Sequence, residues 1–338
     1  MKTFNFFMLF IFLQSSLQFI FADDNSYISI HAGTNSGKNK ISLVLIDPVG
    51  RKEGTLPSGL QLHEILNCGY SVTRLGDPNT GPDEFDPETI ELGCFPLTIG
   101  TYIINVYGLQ DTSFWISVRS ADITGSIDDS KFYDFSGLIS SVAVMDYKIS
   151  IDPTPGSPPP TITKMVTFQT LRDDFTVAQK LNQIGDDKFV NSLIRMVNIA
   201  EKFYNRCQQI KDDSKEDKHK RLCYRPVIMI LELIKKRLEI VNKICDNPGE
   251  CKSKCKLKDE CDEDLVFDNF RKENIKEEGI KEFFSEWDKD EWHKHKKLCK
   301  RFVTDEALKI ISEDIDWLIK SLDGETKIAH NKDDKGDK

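Results

Sequence analysis

Four thiols are packed into the stretch CDNPGECKSKCKLKDEC: Cys245, Cys251, Cys255 and Cys261. Cysteines at this density hold a metal, cross-link the chain, or build a compact toxin-like module. Structural zinc asks for close pairs such as C-x2-C or C-x4-C, backed by a second pair of Cys or His. The intervals here are five, three and five residues. Further along, WHKHKKLC brings His293, His295 and Cys299 together and could complete a ligand set. Two histidines on a lysine-rich helix are also the ordinary pattern of a solvated face. Spacing leaves the three readings open, and the compartment has to choose between them.

Other chemistry is sparse. The chain has no H-E-x-x-H, no G-x-S-x-G and no cysteine in a protease-like context. GTNSGKNK, from Gly33 to Lys40, lacks the length of a phosphate loop and the Ser or Thr that should follow its lysine, so it reads as a hairpin or surface loop. His63, in LQLHEILNC, stands near Glu64 and Cys68 and reads as part of a short amphipathic segment. Acidic pairs such as Asp83–Glu84 read as solvated face. The expectation is no catalytic residue, no cofactor and no metal.

The chain opens MKTFNFFMLFIFLQSSLQFIFADD. Lys2 supplies a positive start, Phe6 to Leu13 is an unbroken apolar run, and Ala22 precedes the acidic pair Asp23 and Asp24. This is the layout of a signal peptide over 1–22. A spanning helix needs about 20 mostly apolar residues, and Gln14, Ser15, Ser16 and Gln18 interrupt the run. The polar end KIAHNKDDKGDK offers no lipid-anchor tail. The expected protein is secreted, with no stable membrane anchor. An oxidising route then favours disulfides over zinc for the clustered thiols.

The elements that position these residues follow from composition. DPTPGSPPPTIT, residues 152–163, is too rich in proline for a helix or central strand and reads as a linker. Residues 23–160 carry 8 Lys and Arg against 18 Asp and Glu, whereas the remainder is densely charged and near balance. Neither part has the basic excess that binding a phosphate backbone requires, so nucleic acid is not an expected partner. Residues 23–151 hold short alternating runs, YISIHAG, KISLVLIDPVG, TYIINVYGL, SFWISVRS and SVAVMDYKISI, that predict strands. TIGTYIINVYG resembles the strand entry of immunoglobulin-like sandwiches, and LVLIDPVGR resembles a strand feeding a turn in such folds. That resemblance implies an immunoglobulin-like β-sandwich. Cys68 and Cys94, the two cysteines of this part, are expected to pair.

Residues 164–325 predict an antiparallel helical bundle, with a disordered tail over 326–338. One apolar stripe runs through Phe189, Leu193, Met196, Ala200, Phe203 and Cys207, and another through Val227, Ile230, Ile234, Leu238, Val241 and Cys245. A third runs through Leu308, Ile311, Ile315, Leu318 and Leu322, behind Thr304 as N-cap. Phe283, Phe284, Trp287 and Trp292 belong to a weaker amphipathic stretch and read as core. Pro226 fits the first turn of a helix, which places Cys223 just ahead of the start. Cys245 lies 22 positions beyond Cys223, about 33 Å along a helix, too far for a bridge. A hairpin instead sets Cys207 beside Cys223. Cys245, Cys251, Cys255, Cys261 and Cys299 then remain, an odd number that leaves a free thiol or a disulfide-linked dimer.

The Phe-rich leader, the Lys/Asp/Glu-rich helices such as KENIKEEGIKEFF and the cysteine-stapled helical part together resemble secreted antigens of apicomplexan parasites, piroplasms such as Theileria and Babesia. The resemblance implies a secreted protein that meets host molecules or host immunity without enzyme activity. The expected function is a non-enzymatic interaction protein whose partner is a protein on a host or parasite surface. Alternatives are an enzyme whose site the sequence does not display, and a cysteine-rich inhibitor or toxin-like protein acting through 245–261.

Overall fold

The structure is a computed structural model and describes residues 26–35, 38–74, 87–121, 131–152, 160–209, 217–244 and 301–333. It is a mixed α+β protein with two antiparallel sheets, four helices among the described residues, and two disulfides. The chain divides into two compact units, one of Met1–Ser136 with Ser141–Lys164, the other of Gly137–Ser140 with Met165–Lys338.

Among the described residues there are eleven strands, all in the first unit except the end of β9, which falls in the second: β1 (Tyr27–Gly33), β2 (Ile41–Ile46), β3 (Lys52–Thr55), β4 (Gln61–His63), β5 (Cys68–Arg74), β6 (Glu88–Cys94), β7 (Gly100–Gly108), β8 (Thr112–Ala121), β9 (Lys131–Ile139), β10 (Val144–Ile151) and β11 (Thr161–Lys164). They form a five-stranded sheet ordered β5-β6-β1-β8-β9 and a six-stranded sheet ordered β11-β10-β7-β2-β3-β4. Period-two alternation explains the first sheet. Ile30 of β1 sits opposite Leu92 of β6 and Val118 of β8, and all three are buried. Ile28, Ile90 and Ile116 extend the same apolar face. Each such side chain contributes about 1.5–3 kcal/mol by leaving water, enough to set the register, because a one-residue slip would turn the whole set to solvent. In the second sheet Leu43, Leu45, Ile104, Val106, Tyr147 and Ile149 are buried in the same way.

Two devices close the first unit. Cys68 and Cys94 are register partners on β5 and β6 and are bonded to each other. Asp47 turns the chain from β2 to β3: its carboxylate accepts from the amides of Val49 and Arg51 at 3.0 and 2.8 Å and from Arg51 Nε at 2.7 Å. At Gly54 (φ +126°) a β-carbon would stand 2.2 Å from the carbonyl oxygen of Leu43. Only glycine allows β3 that approach.

The second unit holds α1 (Phe168–Lys180), α2 (Asp187–Gln208), α3 (Asp217–Ile244) and α4 (Asp305–Asp333). Thr167 and Thr170 form a reciprocal capping box at the start of α1. The expected stripes are buried: Phe189, Leu193, Met196 and Ala200 on α2, Val227, Ile230, Ile234, Leu238 and Val241 on α3, and Ile311, Ile315, Leu318 and Leu322 on α4. They join Phe168, Leu171 and Phe175 of α1 in one core. The turn after α1 is tied to the segment before α4 through an isolated bridge, Ile184 with Val303, flanked by Gly185 N to Phe302 O at 3.0 Å and Thr304 N to Gln183 O at 2.9 Å.

Several boundaries differ from the sequence reading. Pro226 lies inside α3, so Cys223 is helical rather than ahead of the helix. Proline removes one backbone donor. The turn before it is nevertheless anchored by the Cys207–Cys223 disulfide and by buried Tyr224, whose hydroxyl accepts from Gln208 Nε2 at 2.8 Å. Thr161–Lys164, read as the end of the linker and the start of the bundle, form β11 on the edge of β10. They are held by Tyr133, whose hydroxyl donates to Pro160 O at 2.5 Å. Helix α1 precedes the first helix expected at Phe189, and α4 runs to Asp333, past the boundary drawn at 325. The leader 1–22, most of the linker, the aromatic stretch around Phe283 and residues 334–338 lie outside the described residues.

Candidate functional site

In the five-stranded sheet the face opposite the core is built from the other half of each alternation. Tyr27, Ser29 and His31 alternate with buried Ile28, Ile30 and Ala32 on β1. Antiparallel register places Ser29 opposite Arg119 and His31 opposite Ser117 on β8, and residues that oppose one another share a face. Phe132 of β9 completes the set. Tyr27, Ser29, His31, Ser117, Arg119 and Phe132 line a pocket of ≈ 410 Å³. Trp115 lies two positions before Ser117 on the same face, opposite Gly33. A β-carbon at Gly33 would come within 2.8 Å of Glu88 O and 3.2 Å of Trp115 Cζ2, so the absent side chain lets the indole lie close against β1.

Within the pocket, Ser29 Oγ and His31 Nε2 are 3.1 Å apart. The Arg119 guanidinium carbon stands 4.7 Å from the Phe132 ring centroid and 5.8 Å from that of Tyr27. These cation–π contacts fix a long side chain between two rings. Phe132 keeps 62% of its surface exposed. Among the described residues the lining has a guanidinium and an imidazole and no carboxylate. Glu91 of β6, opposite His31 in register, accepts from Thr73 Oγ1 at 3.1 Å. At the start of β6 in the same sheet, burial pushes the Glu88 carboxyl up. The Asn39 amide, the Arg74 guanidinium and the charge of Lys38 outweigh that and hold it below its ordinary value.

A serine hydrogen-bonded to an imidazole can serve as a nucleophile–base pair. An acyl-transfer site also needs donors aimed at a developing oxyanion. Here β1 is laddered on both edges, to β6 and β8, and β8 lies between β1 and β9. Their backbone donors are directed along the sheet, away from this face. The arrangement is suited to holding a ligand by side chains.

The residues singled out in the sequence fall elsewhere. Cys68–Cys94 braces β5 to β6, and Cys207–Cys223, with Cα atoms 5.6 Å apart, braces α2 to α3. His63 lies in β4, a strand rather than the amphipathic segment expected, with Nδ1 2.8 Å from Oε1 of fully buried Glu53. Asn39, in the stretch read as a surface loop, donates its amide to Glu88. Cys245, Cys251, Cys255, Cys261 and Cys299, with His293 and His295, lie outside the described residues. Among the described residues no group of three or more His, Cys, Asp or Glu side chains could hold a metal ion. The pocket residues were not singled out, although YISIHAG and SFWISVRS carried the signal: the polar half of each alternation is aromatic, imidazole or guanidinium rather than Lys, Glu or Thr alone. KFYDFSG, which supplies Phe132, was not read as a strand.

No family model and no curated protein matches the chain. Fold and face together define a disulfide-bonded α+β protein with a polar–aromatic pocket on the outer face of its five-stranded sheet.

Proposed function

We propose that this is a secreted, non-enzymatic interaction protein, of the kind resembled by piroplasm antigens, that binds a protein partner on a host or parasite surface. In this reading the sheet unit is an immunoglobulin-like sandwich, the helical unit is a separate domain, and the partner meets the outer face of the five-stranded sheet. The observation that carries it is that face: Phe132 exposed, Tyr27 and Arg119 packed beside it, and His31 and Ser117 within the same pocket. Aromatic and arginine side chains gathered at one exposed place are the composition of binding hot spots. Two disulfides support passage through an oxidising compartment. No helix among the described residues is long and apolar enough to cross a membrane.

The test compares proteins captured from host-cell and parasite-surface extracts by the wild-type chain and by Phe132→Ala and Tyr27→Ala chains. A partner held by wild type and lost by both variants, at unchanged thermal stability, supports the reading. Turnover in a hydrolase panel that disappears in Ser29→Ala, with no capture, would replace it with an enzyme.

A further inference from the structure

We infer that one end of the sheet unit inserts its loop tips into the surface of a lipid bilayer. This goes beyond the interaction reading and concerns a different place from the outer sheet face. Register brings the β2–β3 turn (47–51), the β4–β5 loop (64–67) and the β6–β7 loop (95–99) to that end. Val49, Leu66, Phe95 and Ile99 stand on these three loops, each 49–79% exposed. Ile65 and Leu97 are buried and pin the loops to the core, so the exposed side chains project from a fixed base. The loops are also tied to one another. Phe95 N donates to Asn67 O at 3.1 Å, and Glu64 N to Lys52 O at 2.9 Å. A β-carbon at Gly100 would stand 2.6 Å from Pro48 Cβ, so the exit of the third loop lies against the first.

Polar groups of these loops are partnered within the chain, and that selects lipid over a second protein. Asp47 takes the Val49 and Arg51 amides on its carboxylate and the Gly50 amide on its carbonyl. Leu97 N donates to Ser26 Oγ at 3.0 Å, and Thr98 N to the Tyr102 hydroxyl at 2.9 Å. Pro48 and Pro96 have no amide hydrogen to place. The loops hold two carboxylates, and both are turned back: that of Asp47 onto Arg51 Nε, that of Glu64 onto the Lys52 amide at 3.0 Å. A protein interface exchanges hydrogen bonds across its area. Hydrocarbon accepts side chains where the backbone needs no outside partner. Charge is not the attraction, because residues 23–160 carry 8 basic against 18 acidic side chains. The apolar area that enters the interface is.

The test mixes the whole chain, with both disulfides formed, with phosphatidylcholine vesicles and reads co-flotation. Wild type should bind, and neither added phosphatidylserine nor raised salt should change binding by as much as roughly tenfold. Lipids carrying a nitroxide on the acyl chain should broaden the NMR methyl signals of Val49, Leu66 and Ile99. They should spare those of Leu109 and Val142, which are exposed at the opposite end. Leu66→Ser and Phe95→Ser should each weaken partitioning by roughly tenfold. Val142→Ser, at the far end, and Phe132→Ala, on the outer sheet face, should leave it unchanged. No co-flotation with phosphatidylcholine, binding that needs phosphatidylserine and vanishes in salt, or an equal loss in Val142→Ser overturns the assignment. So does a Leu66→Ser chain that keeps wild-type stability and floats as well as wild type. If vesicles fail while Phe132→Ala still abolishes partner capture, the bilayer assignment falls and the protein-binding reading stands.

Discussion

In the helical unit charged side chains go inward. Asp174 and Asp314 are fully buried, Arg237 and Arg301 nearly so, and both guanidinium carbons stand over the ring of Phe189, at 5.5 and 5.6 Å. Arg237 also donates to Ser192 Oγ at 3.2 Å. In the sheet unit the arginine with two ring contacts, Arg119, is instead on a solvent-facing side, and its ring partner Phe132 is exposed. The same pairing of guanidinium and aromatic ring is packed away from water in the helical unit and stands at the surface in the sheet unit. Buried charges in the sheet unit have other partners: Asp47 holds a turn, Glu53 pairs with His63, and Lys164 Nζ donates to Ser136 O at 3.1 Å. The contrast is between arginines stacked on a ring inside a core and an arginine stacked on rings at the surface of a sheet.

That contrast can be broken at the helical core first. Phe189→Ala removes a ring that is 1% exposed and faced by two guanidiniums. It should cost about 3–5 kcal/mol in urea unfolding while leaving partner capture at the sheet face unchanged. Replacing both Cys207 and Cys223 by Ser opens a bridge that spans 16 positions and should lower stability by about 3 kcal/mol, read from the shift in denaturation midpoint. In the sheet unit Gly54→Ala forces a β-carbon against Leu43 O and should cost about 1–3 kcal/mol, with β2–β3 amides the first to lose hydrogen-exchange protection.

The smallest effect sharpens the comparison at the sheet's rim. The Glu88 carboxyl is held below its ordinary value in the folded chain, so its contribution is present above the unfolded value and lost as pH falls through the carboxylate range. Solvent screening keeps a rim ion pair of this kind below about 1 kcal/mol. Glu88→Gln should therefore flatten the acid limb of the stability–pH curve slightly and leave neutral-pH stability nearly unchanged.

Much of the architecture was legible because its cause is periodicity. The stripe from Phe189 to Cys207 and the alternation in YISIHAG each have one period and one face to bury, and both elements form there. Short or polar strands were not legible. Lys52–Thr55, Gln61–His63 and Thr161–Lys164 owe their state to neighbours β2, β3 and β10, which supply the ladder that propensity does not. The helical turn before Pro226 was missed for a related reason, since a disulfide and buried Tyr224 override proline's usual place at a helix start. The pocket was hidden because β1 is far in sequence from the consecutive strands β8 and β9, and only register brings Ser29 to Arg119 and His31 to Ser117. Cysteine and histidine spacing drew attention elsewhere, while the groups that converge are single residues on ordinary-looking strands.

The central claim is that the outer sheet face, and not the helical unit, meets the partner. Hydroxyl-radical footprinting of the chain alone and with its captured partner tests this most directly. Tyr27, His31, Trp115 and Phe132 should become protected, with Tyr204 and Trp317 of the helical unit unchanged. Protection confined to Tyr204 and Trp317, with the sheet face as reactive as before, would contradict the account.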